Sequence, residues 1–308
     1  MPRVVFMGTP QFAVPTLESL AKEHEIVTVV SQPDRPSGRG RRLRPPPVKD
    51  AALRLALPVW QPRTLRTPEA VAHLRQLAPD VVIVAAYGQI LRSEVLEIPP
   101  SGCVNVHASL LPRYRGAEPV AAAILNGEAK TGITIMLMDK GMDTGPILSQ
   151  RSMPIASDDT RGSLTEKLAH LGAPLLLDTL PRWLGGEITP QLQDDALASY
   201  APLLKKEDGK IDWARPAVVI ERMVRAYTPW PGTYTHWLGQ ALKVLRARPL
   251  RQPQGEAGWV TETPEGVAVV AGEGALLLEE VQLAGKRAMP AGDFARGQRD
   301  FIGTRLPS

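Results

Sequence analysis
The chain has 308 residues, of which 44% are hydrophobic and 22% charged, ordinary values for a soluble globular protein with a sizeable core and room for two domains. Its formal net charge of +4 and isoelectric point near 9.3 permit an anionic partner without requiring one. The single cysteine, Cys103, excludes an internal disulfide, and no Cys/His cluster has zinc-ligand spacing. No apolar run reaches the ~20 residues of a membrane span and no signal-peptide core is visible, so a cytoplasmic protein is expected.

Arg3 to Gly8 (RVVFMG) predicts a buried parallel strand, followed by a helical pattern through Ala13, Leu17 and Leu20. Glu25 to Ser31 reads as a second strand and Gln32 to Pro47 as a loop. Helices at 48–55 and 68–77 follow, with a short strand at 58–60 between them. Asp80 to Ala86 (DVVIVAA) is the next strand, and a further one ends at His107. A helix over 118–125, strands over 132–138 and 146–152, and a long helix over 163–183 interrupted at Pro174 complete the first part. Strands alternating with helices imply parallel βαβ units and a Rossmann-type, doubly wound, mostly parallel sheet.

Past Gly185-Gly186 the periodicity fades, and residues 189–206 read as a linker. A helix over 216–225 and short strand-like runs spaced by turn residues predict a small β-barrel or sandwich over 207–308. Two domains are therefore expected, 1–188 and 207–308.

Gly8-Thr9-Pro10 stands where a phosphate loop would follow the first strand, but neither Gly-x-Gly-x-x-Gly nor a Walker ending is present. A dinucleotide cofactor or ATP hydrolysis is not expected. The loop Arg35 to Pro47 holds five arginines and no acid. Such clustering suits contact with nucleic-acid phosphates and a steep salt dependence; a solvated surface loop is the alternative.

Val104 and Val106 alternate with Asn105 and His107, which places the two polar side chains on one strand face. Cys103 shares that face. Four residues of strand, about 13 Å, separate it from His107, so a Cys–His nucleophile pair is excluded on distance. Asn105 and His107, about 6.7 Å apart, can converge on one reacting atom. An amide N–H to hold an oxyanion beside an imidazole to move a proton suits acyl-type transfer. Asp143, in the glycine-flanked turn Gly141 to Gly145, is a carboxylate able to orient that histidine.

Asn105-x-His107-x-Ser109-Leu110-Leu111-Pro112-x-Tyr114-Arg115-Gly116, followed by Asp139-x-Gly141-x-Asp143-Thr144-Gly145, resembles the signature of the formyltransferases that use 10-formyltetrahydrofolate. Further matches at Gln32 to Gly40, at Ala86 to Leu91 and at Lys205 to Trp213 resemble the branch acting on methionyl initiator tRNA. The resemblance implies a catalytic domain with Asn105, His107 and Asp143 as catalytic residues, and an OB-like carboxyl-terminal barrel that binds tRNA. It implies folate contacts at Ser109, Leu110, Leu111, Pro112, Tyr87, Gly88, Ile90 and Asp139, and tRNA contacts at Arg39, Arg41, Arg42 and Arg44. The implied reaction is direct attack of the methionyl amine on the formyl carbon through a tetrahedral intermediate, by a monomer with no metal. Rival readings are a formyltransferase for a nucleotide-linked amino sugar and an inert RNA-binding protein. In the carboxyl-terminal part, Arg246, Arg248, Lys286 and Arg287 are candidates for a local basic patch.

Overall fold
A computed structural model describes residues 1–37 and 42–308. The chain forms two compact units that interleave in sequence. Met1–Pro119, Lys130–Pro154 and Thr165–Ala201 make one; Val120–Ala129, Ile155–Leu164 and Pro202–Ser308 make the other.

As far as residue 201 the elements are β1 (Arg3–Gly8), α1 (Val14–Glu23), β2 (Glu25–Val30), β3 (Arg35–Ser37), β4 (Arg42–Arg44), α2 (Pro47–Arg54), β5 (Val59–Trp60), α3 (Pro68–Gln76), β6 (Val81–Ala85) and α4 (Ser93–Leu96). Then come β7 (Cys103–His107), β8 (Arg115–Gly116), α5 (Pro119–Leu125), β9 (Lys130–Leu137), β10 (Ile147–Pro154), α6 (Arg161–Leu184) and β11 (Tyr200–Ala201). Seven strands make one sheet in the order β10-β9-β7-β6-β1-β2-β5. From β5 to β7 all neighbours are parallel, and β9 and β10 extend the sheet antiparallel. This is the Rossmann-type sheet expected from the alternation of strands and helices.

The apolar runs in β1 and β6 follow from their central place: Val4–Met7 and Val81–Ala85 are buried, as strands covered on both faces must be. Gly8 pairs with Ala85 and Val84 with Asn105, so the carboxyl ends of β1, β6 and β7 share one edge. Open α/β sheets bind ligands at that edge.

Three local expectations are corrected. The stretch read as a loop over 32–47 contains the antiparallel pair β3–β4, with Arg35 opposite Arg44. The helix expected to break at Pro174 runs without interruption through Pro174 and Pro181. A proline deletes one helical hydrogen bond and strains the preceding turn, at about 3 kcal/mol. Burial of Leu164, Leu168, Leu175, Leu176 and Leu180 along the same helix offsets that cost. The aperiodic stretch after Gly186 is hydrogen-bonded to the first unit: β11 pairs with β8, Tyr200 opposite Arg115 and Ala201 opposite Gly116.

The second unit carries α7 (Ala217–Ala226), β12 (Thr233–Trp237), β13 (Gln240–Leu250), β14 (Val260–Thr263), β15 (Gly266–Val270), β16 (Ala275–Leu283), β17 (Met289–Pro290) and α8 (Ala291–Gly297). Its antiparallel sheet has the order β12-β13-β16-β15-β14, with β17 beside β16. The expected barrel is not closed: among the described residues no ladder joins β14 to β12. In β12 every second residue (Thr233, Thr235, Trp237) faces inward. Trp237, Phe294 and Phe301 pack edge to face, with ring centroids 4.9–5.7 Å apart. No helix among the described residues is long and apolar enough to cross a membrane.

Candidate active site
β7 delivers Asn105 and His107 to the sheet edge, both nearly buried. Asp143 reaches the same point from the turn between β9 and β10. Its carboxylate stands against both: Asn105 Nδ2 donates to Oδ1 at 3.5 Å, and His107 Nδ1 lies 3.6 Å from Oδ2. The Gly116 N–H donates to Oδ2 at 2.8 Å. His107 Nε2 lies 3.1 Å from the Tyr114 carbonyl oxygen, so each ring nitrogen faces an acceptor. The three residues singled out from the sequence are thus brought together. Val106, on the opposite strand face, packs at Gly172 of α6, where even a Cβ would be crowded at 3.0 Å.

Asp143 has a backbone φ of 55°, the left-handed region that costs a non-glycine residue roughly 1 kcal/mol and that aspartate visits more readily than most. The turn before it is shaped by Asp139, whose Oδ1 accepts from the Gly141 N–H at 3.0 Å and the Thr144 hydroxyl at 2.7 Å.

A cavity of about 180 Å³ adjoins the carboxylate, walled by Ile90, Leu91, Met136, Met138 and Met142, with Asp139 and Asp143 on its rim. A wider depression of about 490 Å³ shares Met138 to Gly141 with it and extends to Ser93 and Glu97. Apolar walls with a few placed polar groups suit a flat heteroaromatic ring bearing hydrogen-bonding edges.

The residues expected around a folate divide into two groups. Ile90 and Asp139 line this cavity. Tyr87 does not: its side chain is buried in the core with Val84, Leu91 and Cys103. Burial pushes its phenol up to about 12, and its backbone carbonyl accepts from the Thr9 hydroxyl at 2.8 Å. Gly88, at φ 87°, permits the turn that follows. In the stretch from Ser109 to Pro112 the serine hydroxyl is fully buried and donates to the Arg113 carbonyl at 2.7 Å. Leu111 is buried as well. Thr134 on β9 locks this stretch: its hydroxyl donates to Ser109 O at 2.7 Å and accepts from Leu111 N at 3.1 Å. Gln150 donates to Leu111 O at 2.8 Å and to Thr134 Oγ1 at 2.9 Å.

Arg39 and Arg41 lie outside the described residues. Arg42 and Arg44 belong to β4, and Arg44 is exposed. At the root of the β3–β4 pair, Lys49 Nζ sits 2.9 and 2.8 Å from the two oxygens of Asp34, and Gln61 donates to Asp34 Oδ1 at 2.8 Å. In the second unit, Arg246 and Arg248 both face Glu279, at 3.6 and 3.7 Å. Among the described residues no group of three or more His, Cys, Asp or Glu side chains is placed to hold a metal ion.

Sequence reasoning missed Gln193, Thr134 and Gln150, and gave Arg115 no role beyond its place in the motif. Arg115 is 2% exposed and donates to Gln193 Oε1 at 3.0 Å and to Asp195 Oδ1 at 2.7 Å. Nothing periodic marks these residues; only the three-dimensional placement does.

The family described as "Formyl transferase" matches residues 2–180, and "Formyl transferase, C-terminal domain" matches 203–299. A protein named methionyl-tRNA formyltransferase from Roseiflexus castenholzii is 54% identical over 99% of this chain and 98% of its own length. One of the same name from Myxococcus xanthus is 49% identical over 97% and 96%. Among solved structures, an N-formyltransferase from Helicobacter canadensis in complex with folinic acid and dTDP-3-aminofucose aligns with a TM-score of 0.68 at 20% identity, covering 93% of this chain and 100% of that one. HypX from Aquifex aeolicus, in complex with tetrahydrofolic acid, aligns with a TM-score of 0.64 at 17% identity over 98% and 48%. At those identities the likeness is one of fold.

Proposed function
The chain belongs to the formyl transferase family, and from that premise we propose how the residues at the end of β7 carry its reaction. The reaction is transfer of the formyl group of 10-formyltetrahydrofolate to the α-amino group of methionine on charged initiator tRNA, in support of translation initiation. What supports the assignment of roles is one observation: the Asp143 carboxylate stands between Asn105 Nδ2 and His107 Nδ1.

The bound folate supplies an electrophilic formyl carbon. An α-amino group has a pKa near 7.7–8.0 and attacks only when neutral, so a base must take its proton. Asp143 is that base, directly or through one water. Asn105 donates its amide N–H to the oxygen that gains charge as the amine adds, and His107 shares that load and passes a proton to the departing folate nitrogen. Ile90 and the methionines hold the ring of the donor, and the backbone from Ser109 to Pro112 fixes its approach. Arg39, Arg41, Arg42 and Arg44 follow the phosphates of the tRNA acceptor arm. Residues 1–188 carry the chemistry and 207–308 add tRNA contacts, in a cytoplasmic monomer.

The test is a formylation assay on charged initiator tRNA, with a nucleotide-linked amino sugar as the competing acceptor. Formylation of the tRNA and not of the sugar is expected. Asn105→Ala should lower kcat by about 100- to 1,000-fold, the loss typical of one oxyanion donor, with little change in tRNA affinity. Near-normal turnover in that variant would remove Asn105 from the role.

A further inference from the structure
Asp143 must keep a left-handed backbone and hold its carboxylate within reach of two groups on another strand. The Asp139 turn fixes the internal shape of its loop, through Gly141 N and the Thr144 hydroxyl, but not where that loop stands. Placement comes from the aperiodic segment after α6. There, Gln193 Nε2 donates to the backbone carbonyls of Asp143 at 2.8 Å and Gly145 at 2.7 Å, one on each side of Thr144. Its Oε1 accepts from Arg115 Nε at 3.0 Å, so both donors and the acceptor of one amide are engaged.

Arg115 and its neighbour Gly116 belong to the segment whose N–H groups and carbonyls frame the site, and Gly116 N itself holds Asp143 Oδ2. The flanks of Gln193 are pinned too. Gln191 exchanges two backbone hydrogen bonds with Ile147, at 2.8 and 2.9 Å. Ser199 O accepts from Arg115 N at 2.8 Å, and Ser199 Oγ accepts from Tyr114 N at 2.9 Å. One amide therefore ties the carbonyl side of Asp143 to the chain segment that holds its carboxylate side.

We propose that Gln193 is a positioning residue: it sets where the Asp143 carboxylate stands against His107 and Asn105. This rests on formyl transfer at the site described above. A displacement near 1 Å at a reacting group costs about 100-fold in rate, so the effect belongs in kcat and not in substrate affinity.

The experiment is steady-state formylation with the full-length chain, 10-formyltetrahydrofolate and methionyl-tRNA. Gln193→Ala is expected to lower kcat roughly 10- to 100-fold while both KM values stay within about threefold. Gln193→Glu keeps the length and the acceptor for Arg115 but removes both N–H donors, and should fall at least as far. In an Asp143→Ala background, Gln193→Ala should change the residual rate by less than about twofold, because it acts through the carboxylate already removed. Full kcat in either Gln193 variant overturns the proposal, as does an equal loss with and without Asp143. If the alanine variant loses its cooperative melting transition, the volume-preserving glutamate variant decides on the same criteria. An inactive wild-type chain overturns the functional reading and this inference with it; an active wild type with fully active Gln193 variants overturns this inference alone.

Discussion

Thr134→Val exchanges a buried hydroxyl for a methyl of nearly the same shape and so isolates one oxygen. Thr134 is completely buried on β9, and its Oγ1 accepts from Leu111 N at 3.1 Å and donates to Ser109 O at 2.7 Å. Leu111 N and Ser109 O lose their partner in the variant, whereas Gln150, which also donates to Thr134 Oγ1 at 2.9 Å, keeps the Leu111 carbonyl at 2.8 Å. A buried donor or acceptor left unpaired costs about 1–3 kcal/mol; two such groups, less the gain from an added methyl, give a net local loss of about 2–4 kcal/mol. At 1.4 kcal/mol per factor of ten, protection of the Leu111 amide against hydrogen exchange should fall about 30- to 700-fold. Mass spectrometry of peptides covering 107–116 reads this directly. Thr134→Ser keeps the oxygen, loses one methyl, and should cost no more than about 1.5 kcal/mol. Because the stretch from Ser109 to Pro112 frames the folate in the proposed function, KM for the folate should rise in the valine variant more than kcat falls. Protection of Leu111 within threefold of wild type, or a serine variant as damaged as the valine one, would mean that the Thr134 hydroxyl does not hold this stretch.

Three further outcomes follow from the same geometry. Burial pushes the Cys103 thiol up to about 12, so at pH 8 its thiolate fraction is more than ~1,000-fold below that of a free cysteine; alkylation of the native chain should be negligible and should appear only with denaturant. Hydrogen bonds from Lys49, then from Gln61, hold the Asp34 carboxyl below its ordinary value of 3.8. A depressed folded-state value contributes stability above the unfolded value and loses it as pH falls through the folded one. The urea midpoint of Asp34→Asn should therefore differ from wild type most at neutral pH, and the gap should narrow below about pH 4. Replacing Arg39, Arg41 and Arg42 with alanine should raise KM for tRNA and reduce the slope of log affinity against log salt by about 2–3, at ~0.7–0.9 for each phosphate no longer neutralised. A change confined to folate binding would assign the loop to the other substrate.

The groups that carry the chemistry are legible because strand alternation is a local rule. Asn105 and His107 share a face by parity alone, and the same rule, with the rise per residue, removes Cys103, which sits in the core beside Tyr87. Asp143 is legible as a polar residue in a glycine-flanked turn. Motif resemblance assigns Tyr87 to the pocket, and there the local rule runs out. The positive φ values of Ala86 (47°) and Gly88 (87°) leave the tyrosine in the core while Ile90, three residues further on, is 64% exposed. Pro174 misleads for the opposite reason: its local signal is real, but the leucines buried along α6 outweigh it.

Gln193, Thr134 and Gln150 have no local signal at all. Gln193 bonds to residues 48 to 78 positions away, from a segment whose strand, β11, is two residues long. A single amide there has no period, and neither does a threonine hydroxyl on a strand that reads as ordinary β-structure. The division has a physical origin. A catalytic group needs only to project into the site, and projection is set by the backbone that bears it. Its placement to within a few tenths of an ångström needs partners that approach from elsewhere, because a chain segment cannot brace itself in three dimensions. Aperiodic segments are free to supply such braces, since they commit few backbone groups to a helix or a sheet; here the single turn Asp195–Leu197 and the two residues of β11 are so committed. In this fold the segment from Gln191 to Ala201 does so, and its polar side chains are where substitutions should lower kcat while leaving both Michaelis constants in place.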